Sequence, residues 1–141
     1  KITTQVRTKI ILLQFILEMW KKGFVTENDT SGRNTVEKEM VSYIQQNFTG
    51  TISLKEFGEQ FHLSEKYISR YFKEHFHITI SQYVTYLRLK HAKQLLQDTD
   101  IPVTEIAMQS GYQNISYFIR SFKKTYEVSP LQYRKNKLTE I

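Results

Sequence analysis

Aligned with itself at an offset of 50, the sequence matches residues 64–83 to 114–133 at six positions: Tyr67 with Tyr117, Arg70 with Arg120, Phe72 with Phe122, Lys73 with Lys123, Gln82 with Gln132 and Tyr83 with Tyr133. Phe76 with Tyr126, Ile78 with Val128 and Thr79 with Ser129 add conservative pairs. Upstream the match continues at an offset of 49, with Leu54, Glu56, Phe57, Gly58 and Gln60 falling on Val103, Glu105, Ile106, Ala107 and Gln109. The second copy therefore carries one extra residue in its intervening turn. A chain that spells one pattern twice is expected to fold as two units of one kind.

Each copy reads as a short helix, a tight turn and a longer helix. In the first, Ser53 and Glu56 form a capping box that opens a helix through Phe61, with Leu54, Phe57 and Phe61 inward. The turn His62-Leu63 follows, and Ser64 caps a helix to about His75. In the second, Pro102 suits the first helical position, the helix runs to about Ser110, Gly111 supplies the turn and Asn114 caps the next helix. Because His62 lies opposite Gly111, a positive φ is expected there, which His tolerates better than most residues. This arrangement is that of a helix-turn-helix, whose second helix can enter a major groove.

The faces of the second helices suit that task. On the first, Ile68 and Phe72 are expected to be buried, with Lys66, Ser69, Arg70 and Lys73 on the opposite side. On the second, Phe118 and Phe122 are inward, leaving Ser116, Ile119, Arg120 and Lys123 outside. Arg can bond guanine bidentately, Ser can bond several base edges, and Ile can pack on a thymine methyl. Lys73, Lys123 and Lys124 are better placed for phosphates. On one helix such residues would be read as a solvated outer face; their recurrence at equivalent positions favours recognition.

Between the copies, a helix from about Ser81 to Gln97 carries Tyr83, Leu87, His91 and Leu95 at a spacing of four, with Val84 and Leu96 beside them. Thr79 with Gln82 spells a capping box at its start, and Ser129-Pro130-Leu131-Gln132 repeats the device before a final short helix. At 1.5 Å per residue the long helix spans roughly 25 Å. From length alone, such a rod can hold two reading helices about one DNA turn, roughly 34 Å, apart.

The N-terminal part differs. Val6, Ile10, Leu13, Leu17 and Trp20 follow the alternating three-and-four spacing of a helix that pairs with another helix. That stripe docks either on a preceding domain of the same chain or on a second copy, making a homodimer. The chain opens on Lys1 rather than Met and reads as a piece of a longer protein. The apolar run at Ile10–Leu17 is too short for a membrane span and lacks a small-residue cleavage site, so a cytoplasmic protein is expected. Residues 23–35 lose periodicity, collect Gly, Asn, Asp, Ser and Thr, and read as a linker. The expected organisation is thus helix 1–22, linker 23–35 and domain 36–137.

Charge sharpens the choice of partner. Lys and Arg number 20 against 14 Asp and Glu, a net charge of +6. Residues 52–137 hold thirteen basic and eight acidic side chains, and so +5 of that total. An anionic partner is implied.

At this point Arg88-Leu89, Ala92, Leu95-Leu96, Ile101, Glu105-Ile106-Ala107, Gly111-Tyr112, Ser116-Tyr117-Phe118, Arg120, Phe122-Lys123-Lys124 and Ser129-Pro130-Leu131-Gln132-Tyr133-Arg134 resemble the DNA-binding domain of AraC/XylS-type transcription regulators. The likeness covers about residues 36–136. It implies an all-α, seven-helix domain of two helix-turn-helix subdomains joined by a long helix, binding double-stranded promoter DNA in bacteria, most often as an activator and with RNA polymerase as a further partner. It also implies that helix 1–22 is similar to the last helix of a regulatory domain. Carried over by position, base contacts come from Lys66, Ser69, Arg70, Ser116, Ile119 and Arg120. The chain departs from the pattern at His77 and Glu127, where Gly is common, and at Ile80, where Pro is common; these turns are expected to bend differently.

Enzymatic readings find little support. With no cysteine there is no thiolate zinc site, disulfide or cysteine nucleophile. His62, His75, His77 and His91 form no spaced ligand set, the five glycines make no phosphate loop, and Asp98 with Asp100 read as an inter-helix loop rather than an acid–base pair. No metal or cofactor is expected. The competing non-enzymatic reading is a helical protein-interaction module whose basic face is incidental.

Overall fold

The computed structural model describes Leu13 and residues 36–139. Among them seven helices form and no strand: α1 (Val36–Asn47), α2 (Leu54–Phe61), α3 (Glu65–Phe76), α4 (Ile80–Asp98), α5 (Val103–Gln109), α6 (Ile115–Tyr126) and α7 (Pro130–Thr139). Of the amphipathic N-terminal stripe only Leu13 is described, helical and exposed. Val6, Ile10, Leu17, Trp20 and the linker 23–35 lie outside the described residues.

Short polar side chains start the helices where the sequence places them. The Ser53, Ser64 and Asn114 side-chain oxygens accept from the backbone N–H groups of Glu56, Tyr67 and Tyr117 at 3.2, 3.1 and 2.9 Å. At the start of α4 the box is reciprocal: Thr79 N–H donates to Gln82 Oε1 at 2.9 Å, and Gln82 N–H donates to Thr79 Oγ1 at 3.0 Å. Its counterpart before α7 is only half built. Ser129 Oγ accepts from Gln132 N–H at 3.1 Å, but the Gln132 side chain turns forward to donate to Asn136 at 2.7 Å. Asn136 sits one turn on and offers an acceptor, so the glutamine bridges along the helix instead of reaching back. Pro102 stands one position earlier than expected, as the residue preceding α5, with ψ 147°.

The helices divide between two units. One holds α1, α2, α3 and α4 as far as Val84; the other holds Phe48–Thr51, the rest of α4, and α5 to α7. In the first, Met40, Val41 and Ile44 of α1 are buried, as are Phe57, Ile68, Phe72, Phe76, Ile78, Ile80, Tyr83 and Val84. In the second, Leu89, Ala92, Leu96, Ile106, Ala107, Tyr112, Phe118 and Phe122 form one core, flanked by Leu95, Ile101, Val103, Ile115, Tyr126 and Tyr133.

This division explains a departure on α4. Leu87, His91 and Leu95 are only half-buried, whereas Leu89, Ala92 and Leu96 are fully buried. A helix that serves two cores has no reason to keep one apolar line from end to end. Its first turn buries Ile80, Tyr83 and Val84 in one unit, and its later turns bury a different line in the other.

The repeated Tyr83 and Tyr133 do equivalent work. Tyr83 packs on Phe72 with ring centroids 6.0 Å apart, and Tyr133 packs on Phe122 at 5.7 Å. The Tyr83 hydroxyl accepts from Gln45 of α1 at 3.1 Å, and the Tyr133 hydroxyl accepts from Gln97 of α4. Each unit thereby closes its last helix onto its first, through a packed ring whose polar tip is satisfied.

Burial pushes the phenols of Tyr112 and Tyr126 up to about 12. Tyr71 is also raised to about 12, by burial and then by its bond to the Glu37 carboxylate. A folded-state pKa raised above the unfolded value near 10 means that the fold favours the neutral phenol. This stability is fully present below pH ~10 and is lost as pH rises from about 10 through 12. Thermal melts between pH 8 and pH 12 are expected to hold level to about pH 10 and then fall, with late-titrating tyrosinate absorbance appearing as the helices melt. A constant midpoint across that range would contradict this.

Candidate nucleic-acid interface

Both turns that aim the second helices are set by backbone contacts. In the first unit, His62 ends α2 with φ 57°, as its position opposite Gly111 predicts, and Leu63 N–H donates to Gly58 O at 2.8 Å. A Cβ on Gly58 would lie 2.2 Å from the Leu63 carbonyl oxygen, so this turn closes only over glycine. In the second unit, Tyr112 N–H donates to Ala107 O at 2.9 Å. There Gln113 lengthens the turn by one residue, and the position matching Gly58 carries the buried methyl of Ala107.

His77 and Glu127 take a glycine-like backbone conformation without being glycine. Both adopt the left-handed conformation that glycine favours, with φ 62° and 69°. Each backbone N–H bonds back to its helix, His77 to Lys73 O and Glu127 to Lys123 O, both at 2.8 Å. The bonds that terminate the helix dictate the conformation, and the L residue bears a strain of about 1–2 kcal/mol.

With the turns fixed, α3 and α6 bury Ile68, Phe72, Phe118 and Phe122 and expose every residue singled out for contact with DNA. Lys66, Ser69, Arg70 and Lys73 are exposed on α3; Ser116, Ile119, Arg120, Lys123 and Lys124 are exposed on α6. Ile119 is 37% exposed, an apolar side chain standing among cations on an outer face. Arg70 is flanked on its own helix, its guanidinium carbon 5.8 Å from the Tyr67 ring centroid and its Nε 4.0 Å from Glu74.

The inner flank of α3 is tied to α1. Glu37 Oε1 accepts from the Tyr71 hydroxyl at 2.8 Å and lies 3.1 Å from His75 Nε2, while the Tyr71 and His75 rings stack at 4.1 Å. Sequence reasoning missed this cluster. The Tyr71–His75 spacing of four puts both on one flank of α3, but nothing local names Glu37 as their partner.

Two cations of the family-like motif face inward. Arg88 donates to the carbonyls of Phe48 and Gly50 at 2.7 and 3.0 Å, and Arg134 to those of Leu96 and Thr99 at 3.4 and 3.1 Å. They staple loops within the second unit. Two histidines end helices, His75 meets Glu37, and His91 packs edge-on against Phe48 at 5.8 Å. Among the described residues no cluster of His, Asp or Glu could hold a metal ion, and no helix is long and apolar enough to cross a membrane.

A family model described as a helix-turn-helix domain matches residues 57–136. The chain belongs to the AraC-type helix-turn-helix family. This is a family of DNA-binding transcription regulators, and the chain carries its DNA-binding domain. The melibiose operon regulatory protein of Escherichia coli (strain K12) is 29% identical over 133 residues, covering 89% of this chain and 44% of that protein. The chain thus spans less than half of that relative. Among solved structures, the C-terminal domain of AraT, a response regulator from Geobacillus stearothermophilus, is 35% identical with a TM-score of 0.65, covering 70% of this chain and 83% of that one. The DNA-binding domain of AdpA, a global transcriptional factor, in complex with a target DNA shares the AraC-type fold with a TM-score of 0.66 at 20% identity, over 72% of this chain and 92% of that one.

Proposed function

We propose that the chain reads a specific promoter sequence with α3 and α6, each entering the major groove of double-stranded DNA. Lys66, Ser69, Arg70, Ser116, Ile119 and Arg120 contact bases, while Lys73, Lys123 and Lys124 hold phosphates. One observation carries this reading. Arg70 and Lys73 stand exposed at the positions repeated by Arg120 and Lys123, on two helices whose opposite faces are fully buried. AdpA's domain, of the same fold, holds a target DNA. The wider role we infer is that of a cytoplasmic bacterial activator working with RNA polymerase. In it residues 36–137 form the DNA-binding domain, 23–35 a linker, and 1–22 the last helix of a regulatory domain, with Val6, Ile10, Leu13, Leu17 and Trp20 docking on that domain or on a second copy.

The test is selection of duplexes from a random-sequence pool by the 141-residue chain, then binding to the enriched duplex across a salt series. A consensus is expected, with saturable binding that survives excess competitor DNA. The slope of log K against log salt should be about −0.9 for each phosphate neutralised. Enrichment of no sequence, or binding indifferent to salt, would overturn the proposal.

A further inference from the structure

On α3 an acidic side chain borders the basic face. Glu74 follows Arg70 by four residues and lies about 40° beyond it around the helix, at the edge of the arc of about 60° that holds Lys66, Arg70 and Lys73. Its carboxylate lies 4.0 Å from Arg70 Nε, and both side chains are 66% exposed. The matching position on α6 is Lys124, also exposed. Thus α3 sets Lys66, Arg70 and Lys73 against Glu65 and Glu74, whereas α6 carries Arg120, Lys123 and Lys124 with no acid.

We propose that Glu74 is a specificity-determining residue: it weakens binding of the first unit to DNA of arbitrary sequence and is compensated only at a matching base pair. The inference rests on the reading that α3 and α6 face DNA. Non-specific complexes consist almost wholly of phosphate contacts, so a carboxylate at the edge of the reading face opposes those made beside it, whatever the sequence. It also holds the Arg70 guanidinium against the Tyr67 side of the helix. At a matching site Arg70 moves to the O6 and N7 of a guanine, and Glu74 accepts from the exocyclic amine of a cytosine, so the charge that a phosphate repels finds a donor. The ion pair itself, exposed to water, contributes little to folding. With Lys124 in the same place, the second unit binds any phosphate backbone and acts as the electrostatic anchor.

The probes are the duplex enriched by the unaltered chain and a shuffled duplex of equal composition. Glu74→Lys should tighten binding to the shuffled duplex by about tenfold, tighten the enriched duplex less, and steepen the salt slope by about 1. Glu74→Gln should change the shuffled affinity in the same direction by a smaller factor. Selection repeated with Glu74→Gln should lose its preference at one G·C pair. Circular dichroism should show both variants as helical as the parent, since the side chain is exposed. If both leave the shuffled affinity and the specificity ratio within about twofold while the parent still enriches a consensus, Glu74 is a bystander and only this inference falls. If the parent enriches nothing, the DNA-reading proposal fails first.

Discussion

Gly111→Ala is expected to destabilise the second unit by about 2–5 kcal/mol, lowering its melting temperature by roughly 10 °C or more. Two separate penalties add. Gly111 has φ 101°, a conformation an L residue adopts only under strain. A Cβ there would also stand 2.7 Å from Arg88 Nε and 2.8 Å from the Phe48 carbonyl oxygen. Neither neighbour yields freely, because they are bonded to each other at 2.7 Å. Retreat of the arginine would leave the Phe48 and Gly50 carbonyls without that donor. Calorimetry or a circular-dichroism melt of the single variant would decide. A shift below about 2 °C would mean that the turn relaxes around the methyl, and that Gly111 does not hold α5 to α6 as described.

The second large effect concerns recognition. Arg70→Ala and Arg120→Ala are each expected to cost about 1–3 kcal/mol of binding to the selected duplex, and to relax the requirement for guanine at one position apiece. The two residues stand in separate units with no shared partner, so the losses should add in the double variant. The contrast with Lys123→Ala is informative. Without that ammonium group, one phosphate is no longer neutralised, so binding to all sequences should weaken about equally and the salt slope should fall by about 1. Fluorescence anisotropy on the selected and shuffled duplexes separates the two patterns. Unchanged affinity in both arginine variants would remove them as base readers while leaving the fold intact, since both side chains are exposed.

Much of the fold was legible because its signals are local. Ser53, Ser64, Thr79 and Asn114 cap helices through atoms three residues away, and a repeat at an offset of 50 pairs Phe72 and Tyr83 with Phe122 and Tyr133 by sequence alone. The exposure of the residues proposed for DNA contact was legible for the same reason, as the complement of a buried helical stripe. What escaped was set by tertiary packing. Glu37 meets Tyr71 across a separation of 34 residues, and no periodicity on α1 announces it. Gly58 looks ordinary until the Leu63 carbonyl is found where its Cβ would be. His77 and Glu127 lack the expected glycine, yet the hydrogen bonds ending α3 and α6 impose the glycine-like conformation on them. Glu74 went unnoticed because alignment of the two copies rewards identity, and its significance lies in its difference from Lys124.

The short segment Phe48–Thr51 follows α1 in the chain but belongs to the unit built from the later part of α4. It supplies the two carbonyls that receive Arg88, the aromatic ring beside His91, and the wall that Gly111 must clear. The unit that carries the second helix-turn-helix is therefore not a contiguous stretch of sequence. A fragment cut to begin at Thr85 would carry its whole reading helix and still lack part of the floor beneath its turn. Dissecting the two readers from one another calls for a graft of the Phe48–Thr51 segment rather than a single scission.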